Sequence, residues 1–183
     1  MNTQVMSSSE TVLSAQGLEM RFGGIVATNK ISLDLKKGAR HALIGPNGAG
    51  KTTFINLLTG VLHPTAGRIV LEGEDITTLA PHQRVGRGMV RTFQINQLFD
   101  TMTPLQTLAL VVSQRLGQGR RWWSSLGHNP QVARRCEALL TEFHLTEVMN
   151  QRTSELAYGK RRLLEIAIAL ACEPRVLLLD EPV

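Results

Sequence analysis

The chain has 183 residues, of which 43% are hydrophobic, a composition typical of a globular protein with one packed domain or a domain with a subdomain. It contains no apolar run of about 18 residues, and its N-terminus lacks a basic, apolar signal segment, so the sequence predicts neither a membrane span nor export. The formal net charge of +5 suits a polyphosphate ligand, but it also leaves nucleic acid, an anionic membrane surface or ordinary solvated surface open.

The first ordered element is predicted to follow a flexible polar tail at residues 1–11. Alternating apolar residues predict one strand between Val12 and Phe22 and another between Ile31 and Leu35. Phe22 stands just before a glycine pair, at the end of the first strand. Its ring can stack on an adenine face or simply pack against the protein, and the sequence leaves both possibilities open.

A phosphate-binding loop is predicted next, because the chain matches the pattern G-x-x-x-x-G-K-[ST]. The matching residues are Gly45, Pro46, Asn47, Gly48, Ala49, Gly50, Lys51, Thr52 and Thr53. The apolar run at 41–44 predicts a buried strand before the loop, and helical spacing at 54–61 predicts a helix after it. In such a loop, backbone N–H groups surround phosphate oxygens, Lys51 neutralises the outer phosphates and the Thr52 hydroxyl binds Mg²⁺.

Further short elements complete a strand-rich N-terminal half. The sequence predicts a strand at 68–71, a short exposed helix at 81–88 and a strand at 89–94 that ends on Gln94. Helical patterns at 105–112 and 132–143 then predict an inserted helical subdomain. The loop between these helices carries Arg120-Arg121-Trp122-Trp123, which could touch nucleic acid or lipid headgroups or pack under the loop.

The last part of the chain predicts a long helix and a buried strand. The helix is expected to open at Ser154 with a serine cap and to run through Ala171, with burial on most sides. The apolar run 176–179 predicts a strand whose C-terminal end carries Asp180 and Glu181. Asp180 would hold Mg²⁺ and Glu181 would polarise an attacking water, which makes this strand the complement of the phosphate-binding loop.

The cysteines and histidines do not indicate a C-x-x-C site or a histidine-based metal site. Cys136 and Cys172 form no C-x-x-C pair and fall on helical patterns, where a buried thiol packs as a small hydrophobe. The five histidines show no metal-binding spacing. The sequence therefore predicts a reducing compartment and no histidine-based metal centre.

Taken together, these motifs resemble the ATP-binding-cassette (ABC) ATPases from residue 12 to residue 183. Residues 45–53 resemble the Walker A loop, 176–181 the Walker B strand and Gln94 the Q-loop. Leu156, Ala157, Tyr158, Gly159 and Lys160 resemble a variant of the LSGGQ signature, and Phe22 stands at the place of the adenine-stacking aromatic. Met20–Gly24, the run from Arg91 to Thr103 and the LAYG signature are similar to the branched-chain amino-acid importer subfamily.

This resemblance implies a P-loop NTPase α/β fold with a mixed sheet, an N-terminal antiparallel β part and an inserted helical subdomain. The nucleotide-binding core would comprise residues 12–93 and 173–183, and the helical subdomain residues 94–172. The implied activity is ATP hydrolysis with ATP and Mg²⁺. Lys51, Gln94 and Glu181 would be catalytic, and Thr52, Gln94 and Asp180 would bind the metal.

The resemblance also implies partners and a location. Two ATPase subunits, identical or different, would sandwich two ATP molecules, each signature facing the other subunit's P-loop. Transmembrane permease subunits would hold them at the cytoplasmic face of the membrane, with an external or periplasmic solute-binding protein as an indirect partner and no nucleic acid expected.

Two features depart from the family pattern. Ala157 replaces a serine of the general signature and Lys160 replaces a glutamine, and Lys160 could add positive charge at this helix start. The sequence stops at Val183, where family members continue through a D-loop and a switch histidine, so a C-terminally truncated chain is expected. A nucleotide-binding interaction module without turnover therefore stays open, as does a soluble family member that acts on ribosomes or DNA, and the sequence does not identify a transported solute.

Overall fold

A computed structural model describes residues 10–92, 100–117 and 129–179 of the chain. The chain divides into two compact units, Met1–Arg87 and Gly88–Val183. The predicted assignment of residues 12–93 and 173–183 to a core and of 94–172 to a helical subdomain stays a prediction. Among the described residues, no helix is both long enough and apolar enough to cross a bilayer.

The first unit is built on an antiparallel sheet. Its strands are β1 (Thr11–Phe22), β2 (Ile25–Lys36), β3 (Ala66–Leu71) and β4 (Glu74–Asp75), in the spatial order β2-β1-β3-β4. β1 occupies the centre because it pairs with both β2 and β3, and it buries Leu13 and Leu18 almost completely. The predicted antiparallel β part is confirmed.

Two helices belong to the first unit. Helix α1 (Lys51–Thr59) buries Phe54, Leu57 and Leu58, as its apolar spacing predicts. Helix α2 (Pro81–Gly86) begins with a proline, whose fixed φ and missing N–H suit the first turn of a helix. Both predicted helices are confirmed.

The predicted buried strand at 41–44 is wrong. Residues 39–46 have no regular secondary structure, and the side chains of Leu43 and Ile44 are 49% and 89% exposed. A strand takes its hydrogen bonds from a neighbouring strand, and among the described residues no strand pairs with this run. An apolar run of four residues therefore indicates a buried strand only where a partner is present.

The fully buried guanidinium of Arg84 ties the elements of the first unit together. Its Nη1 donates hydrogen bonds of 2.7 Å to the carbonyls of Leu57 and Leu58 in the last turn of α1. Its Nη2 donates to the carbonyl of Thr77 at 2.7 Å, and its Nε donates to that of Leu79 at 2.9 Å. Burial lowers the pKa of this guanidinium, and the nearby Asp75 carboxylate offsets part of that effect.

The second unit combines a parallel strand pair with three helices. Strand β5 (Met89–Arg91) pairs in parallel with β6 (Val176–Leu178). The helices are α3 (Pro104–Arg115), α4 (Pro130–Glu142) and α5 (Tyr158–Ala171). Their apolar faces form one core, which includes Leu108, Val112, Val132, Cys136, Leu139, Leu140, Leu164 and Ala167.

Local capping fixes where α3 and α4 begin. The Thr103 hydroxyl accepts from the Gln106 N–H at 3.2 Å, and the Gln106 side chain accepts from the Thr103 N–H at 2.9 Å, which is a capping box. Asn129 caps α4 by accepting from the Gln131 N–H at 2.9 Å. A proline follows each cap residue.

The start predicted for the last helix is wrong by four residues. Ser154 lies in a short 3₁₀ turn (Thr153–Glu155), and α5 begins only at Tyr158, after Ala157. The predicted serine cap is therefore absent, because Leu156 and Ala157 have extended backbone with ψ values of 143° and 148°, which separates Ser154 from the helix. The predicted burial on most sides is confirmed, since residues 163–171 include no exposed side chain.

Arg84→Met should lower the free energy of unfolding by about 2 kcal/mol or more, because several buried carbonyls lose their only charged donor. Urea denaturation monitored by circular dichroism measures this change. Arg87→Met is the matched control, since Arg87 is exposed and its ion pair with Glu74 is a surface contact worth less than about 1 kcal/mol. Equal losses in the two variants would contradict the assigned role of Arg84.

Candidate functional site

The glycine-rich loop at 45–50 leads directly into α1. Gly48 and Gly50 have φ values of +80° and +82°, which L side chains rarely adopt. A Cβ atom on Gly50 would lie 2.4 Å from the carbonyl oxygen of Ala27. The contact with β2 and the left-handed backbone together explain why this position of the loop requires glycine.

Helix α1 begins without a side-chain cap. Its N-cap residue is Gly50, which has no side chain to accept from the first-turn N–H groups. Thr52 is exposed and Thr53 is half-buried at this end of the helix. Unpaired N–H groups and the positive end of the helix dipole make this helix start a suitable place for a phosphate.

The ammonium group of Lys51 lies across the loop. Its Nζ donates to the carbonyl oxygens of Gly45 at 2.6 Å and Pro46 at 2.8 Å. These contacts hold a positive charge beside the uncapped helix start. An anion bound there would lie beside this cation.

Phe22 belongs to the same unit and lies at the tip of the β1–β2 hairpin. Its side chain is 48% exposed. Phe22 pairs in register with Ile25, and two residues further along β2 is Ala27, whose carbonyl oxygen lies next to Gly50. The ring is therefore not packed into the core. Its predicted stacking on an adenine stays a prediction.

The signature-like segment forms the start of α5. Leu156 is buried and anchors the segment, whereas Tyr158 is 74% exposed and Gly159 is also exposed. Ala157 is the N-cap and supplies no side-chain hydrogen bond. Like α1, α5 thus presents uncapped N–H groups at its start.

Lys160 does not extend into solvent from this helix start. Its Nζ donates to the carbonyl oxygen of His144 at 2.6 Å, in the turn after α4. The positive charge that Lys160 was expected to contribute is therefore engaged by a backbone carbonyl of the same unit.

Three predicted site residues, Gln94, Asp180 and Glu181, lie outside the described residues, as does the segment 120–123. The strands that precede the three site residues are described. β5 and β6 are parallel, with Arg91 opposite Leu178, and the Thr92 N–H donates to the Leu178 carbonyl at 3.0 Å. The carboxyl ends of both strands therefore lie at the same sheet edge, where open α/β sheets bind ligands.

Other features of the described residues offer no competing centre. No group of three or more His, Cys, Asp or Glu residues within 10–92, 100–117 and 129–179 has metal-binding geometry. Burial raises the pKa of the Cys136 thiol to about 11, so this cysteine stays protonated in the core. A cavity of about 540 Å³ in the second unit is lined by none of the predicted nucleotide-site residues.

Sequence reasoning missed the structural roles of Arg84 and of Arg161, whose guanidinium donates to the carbonyls of Leu156 and Ser154. Arg84 lies within α2 and belongs to no recognised motif, so only its burial and its hydrogen bonds reveal what it does. Arg161 did leave a signal, because Lys160, Arg161 and Arg162 place three cations at a helix N-terminus, where the dipole disfavours positive charge. Such a run suggests that these side chains make other contacts.

Comparison with known proteins gives consistent results. Residues 28–183 match the family described as ABC transporter. The chain is 42% identical over 181 residues to the high-affinity branched-chain amino acid transport ATP-binding protein BraF of Pseudomonas aeruginosa. The match covers 95% of this chain and 70% of that protein. The corresponding protein LivG of Escherichia coli K12 gives the same identity and coverage.

Solved structures agree with these relatives. The ADP conformation of MJ1267, described as an ATP-binding cassette of an ABC transporter, superposes with a TM-score of 0.78 at 31% identity. The superposition covers 95% of this chain and 70% of that one. A second structure of MJ1267 gives a TM-score of 0.80. The predicted P-loop NTPase fold class is confirmed.

Gly50→Ala should weaken ATP binding by about tenfold or more, since the added Cβ would force the loop away from Ala27. Titration with a fluorescent ATP analogue measures the affinity. Gly86→Ala is the control, because a Cβ there meets no atom within 4 Å. It should leave the affinity within about twofold. If Gly50→Ala also binds normally, the loop does not surround the phosphates.

Proposed function

The chain belongs to the ABC transporter family, whose ATP-binding subunits hydrolyse ATP, and on this basis we propose that it energises an importer of branched-chain or related amino acids. The 42% identity to BraF and LivG over 95% of the chain carries this proposal, because both proteins are named for branched-chain amino acid transport. The LAYG form of the signature supports the same subfamily.

The first step is nucleotide binding at the start of α1. The uncapped first-turn N–H groups receive the phosphates, and Lys51 leaves the carbonyls of Gly45 and Pro46 to neutralise the outermost phosphate. Phe22, exposed at the hairpin tip, stacks on the adenine. These roles use side chains that the structure leaves accessible in the first unit.

The donors expected for a divalent cation are Thr52, Gln94 and Asp180, an all-oxygen set that suits Mg²⁺. Thr52 is the described member of this set, and its exposed hydroxyl at the helix start is accessible to a cation beside the phosphates. When bound, Mg²⁺ neutralises charge that develops on the β- and γ-phosphates during transfer.

Hydrolysis requires a group that activates water, and we assign that role to Glu181. The residue follows the strand β6 in sequence, and the side chain of a glutamate can orient a water for in-line attack on the γ-phosphate. Gln94 follows the neighbouring strand β5 and would link the nucleotide to a change in the permease.

Assembly with other subunits completes the proposal. A second ATPase subunit contributes the signature segment that faces this chain's nucleotide, and permease subunits hold the pair at the inner face of the membrane. A solute-binding protein delivers the amino acid from outside. The uncapped start of α5, with Tyr158 and Gly159 exposed, supports the view that a partner's phosphates approach it.

The alternative belongs to a different functional class: a module that binds nucleotide without hydrolysing it. It shares the binding step and differs only in hydrolysis, so no contact of the first unit separates it from the proposed ATPase. The two variants below distinguish binding from turnover.

Lys51→Ala should weaken ATP binding by about 1.5 to 3 kcal/mol, the range for losing a hydrogen bond to a charged group. Isothermal titration calorimetry with Mg-ATP measures this loss. Lys37→Ala removes an exposed lysine of the same unit and serves as the control. Unchanged affinity in Lys51→Ala would contradict the assignment of the phosphate site.

Glu181→Gln should preserve ATP binding and slow hydrolysis by roughly a hundredfold or more, because general-base assistance is worth about that factor. Phosphate release by the assembled ATPase is the measurement. The variant should also accumulate as an ATP-bound dimer, visible by gel filtration. Normal turnover would show that a different group activates the water.

A further inference from the structure

Hydrogen bonds donated by its own backbone N–H groups hold the segment that precedes α5 in place. The Thr153 N–H donates to the Met102 carbonyl at 2.9 Å, and the Thr153 hydroxyl donates to the same oxygen at 2.8 Å. The Ser154 N–H donates to the Asp100 carbonyl at 3.1 Å. Thr153 is buried, so these bonds form a fixed attachment before the signature-like residues.

Arg161 binds the carbonyl groups of the same segment. Its Nε donates to the Leu156 carbonyl at 2.8 Å, and its Nη2 donates to the Ser154 carbonyl. Arg161 lies one turn into α5, so its side chain reaches back over the helix start. One guanidinium therefore joins the helix to the turn that leads into it.

This arrangement explains why three consecutive cations occur at a helix N-terminus. Lys160 is bound to the His144 carbonyl, and Arg162 pairs with Glu165 at 2.6 Å. Each cation is engaged by an oxygen of the same unit. The unfavourable interaction with the helix dipole is thus offset by contacts that hold the backbone.

We propose that Arg161 is a positioning residue that fixes the signature segment in the orientation needed to receive a partner's nucleotide. The proposal rests on the proposed function, because it deepens the role of the α5 start. Ala157 provides no side-chain cap, so the direction of the first-turn N–H groups depends on how Ser154 and Leu156 are held. Arg161 supplies that hold by binding both carbonyls.

The test compares Arg161→Met with Arg161→Lys in the ATPase assembled with its partner subunits. Methionine has no donor, so kcat should fall about tenfold, which corresponds to about 1.4 kcal/mol. Lysine can donate to one of the two carbonyls and should restore part of the loss but not all of it. The chain's own affinity for a fluorescent ATP analogue should stay within about twofold, because its P-loop belongs to the other unit.

Arg152→Met is the control for charge. Arg152 is exposed and close in sequence, and no side-chain hydrogen bond to it is seen among the described residues, so its removal should leave kcat unchanged. The proposal is overturned if Arg161→Met keeps normal kcat, if Arg152→Met lowers kcat equally, or if lysine restores nothing. Should the methionine variant fail to fold, a lysine variant with normal kcat overturns the proposal and one with reduced kcat supports it.

The result for Arg161 can be distinguished from the result for the proposed function. If the unmodified chain fails to bind the ATP analogue, the proposed function is rejected whatever Arg161 does. If the unmodified chain binds and hydrolyses ATP while the Arg161 variants behave normally, only the positioning role is rejected.

Discussion

The buried guanidinium of Arg84 is the interaction on which the first unit depends. It satisfies the last carbonyls of α1 and binds the turn before α2, so the helix that carries Lys51 at one end is anchored at the other. Gly60 is required for this contact, since a Cβ there would lie 2.7 Å from the Arg84 Nε. A buried charge without partners would be costly, and here four carbonyl oxygens surround it.

Each of the two units contains a helix whose start has the same two features, and both features suit an anion. Both α1 and α5 begin without a side-chain cap, and in each a basic residue near the first turn bonds to carbonyls of the preceding loop. Lys51 binds Gly45 and Pro46, whereas Arg161 binds Ser154 and Leu156. Exposed N–H groups without a side-chain cap are left to water, which an anion can replace, so both helix starts are accessible to a phosphate.

Much of the fold could be predicted because the relevant signals are local. Apolar periodicity identified β1, β2, α3 and α4, and the capping box at Thr103 and the Asn129 cap fix where the two helices begin. The predictions of a strand at 41–44 and of a serine cap at Ser154 were wrong. The run at 41–44 has no neighbouring strand among the described residues, and the turn that contains Ser154 is held by the distant carbonyls of Met102 and Asp100.

The sequence alone determined the local form of the loop from Gly45 to Thr53, since residue type and spacing predict its left-handed glycines, the helix start and the position of the lysine. Only the tertiary structure decided which oxygens the basic side chains contact. Lys160 was expected to add positive charge for the nucleotide, yet its ammonium is bound to the His144 carbonyl sixteen residues earlier. Arg84 and Arg161 gained their roles in the same way. A long basic side chain can reach any nearby oxygen, so the fold and not the residue type selects its partner.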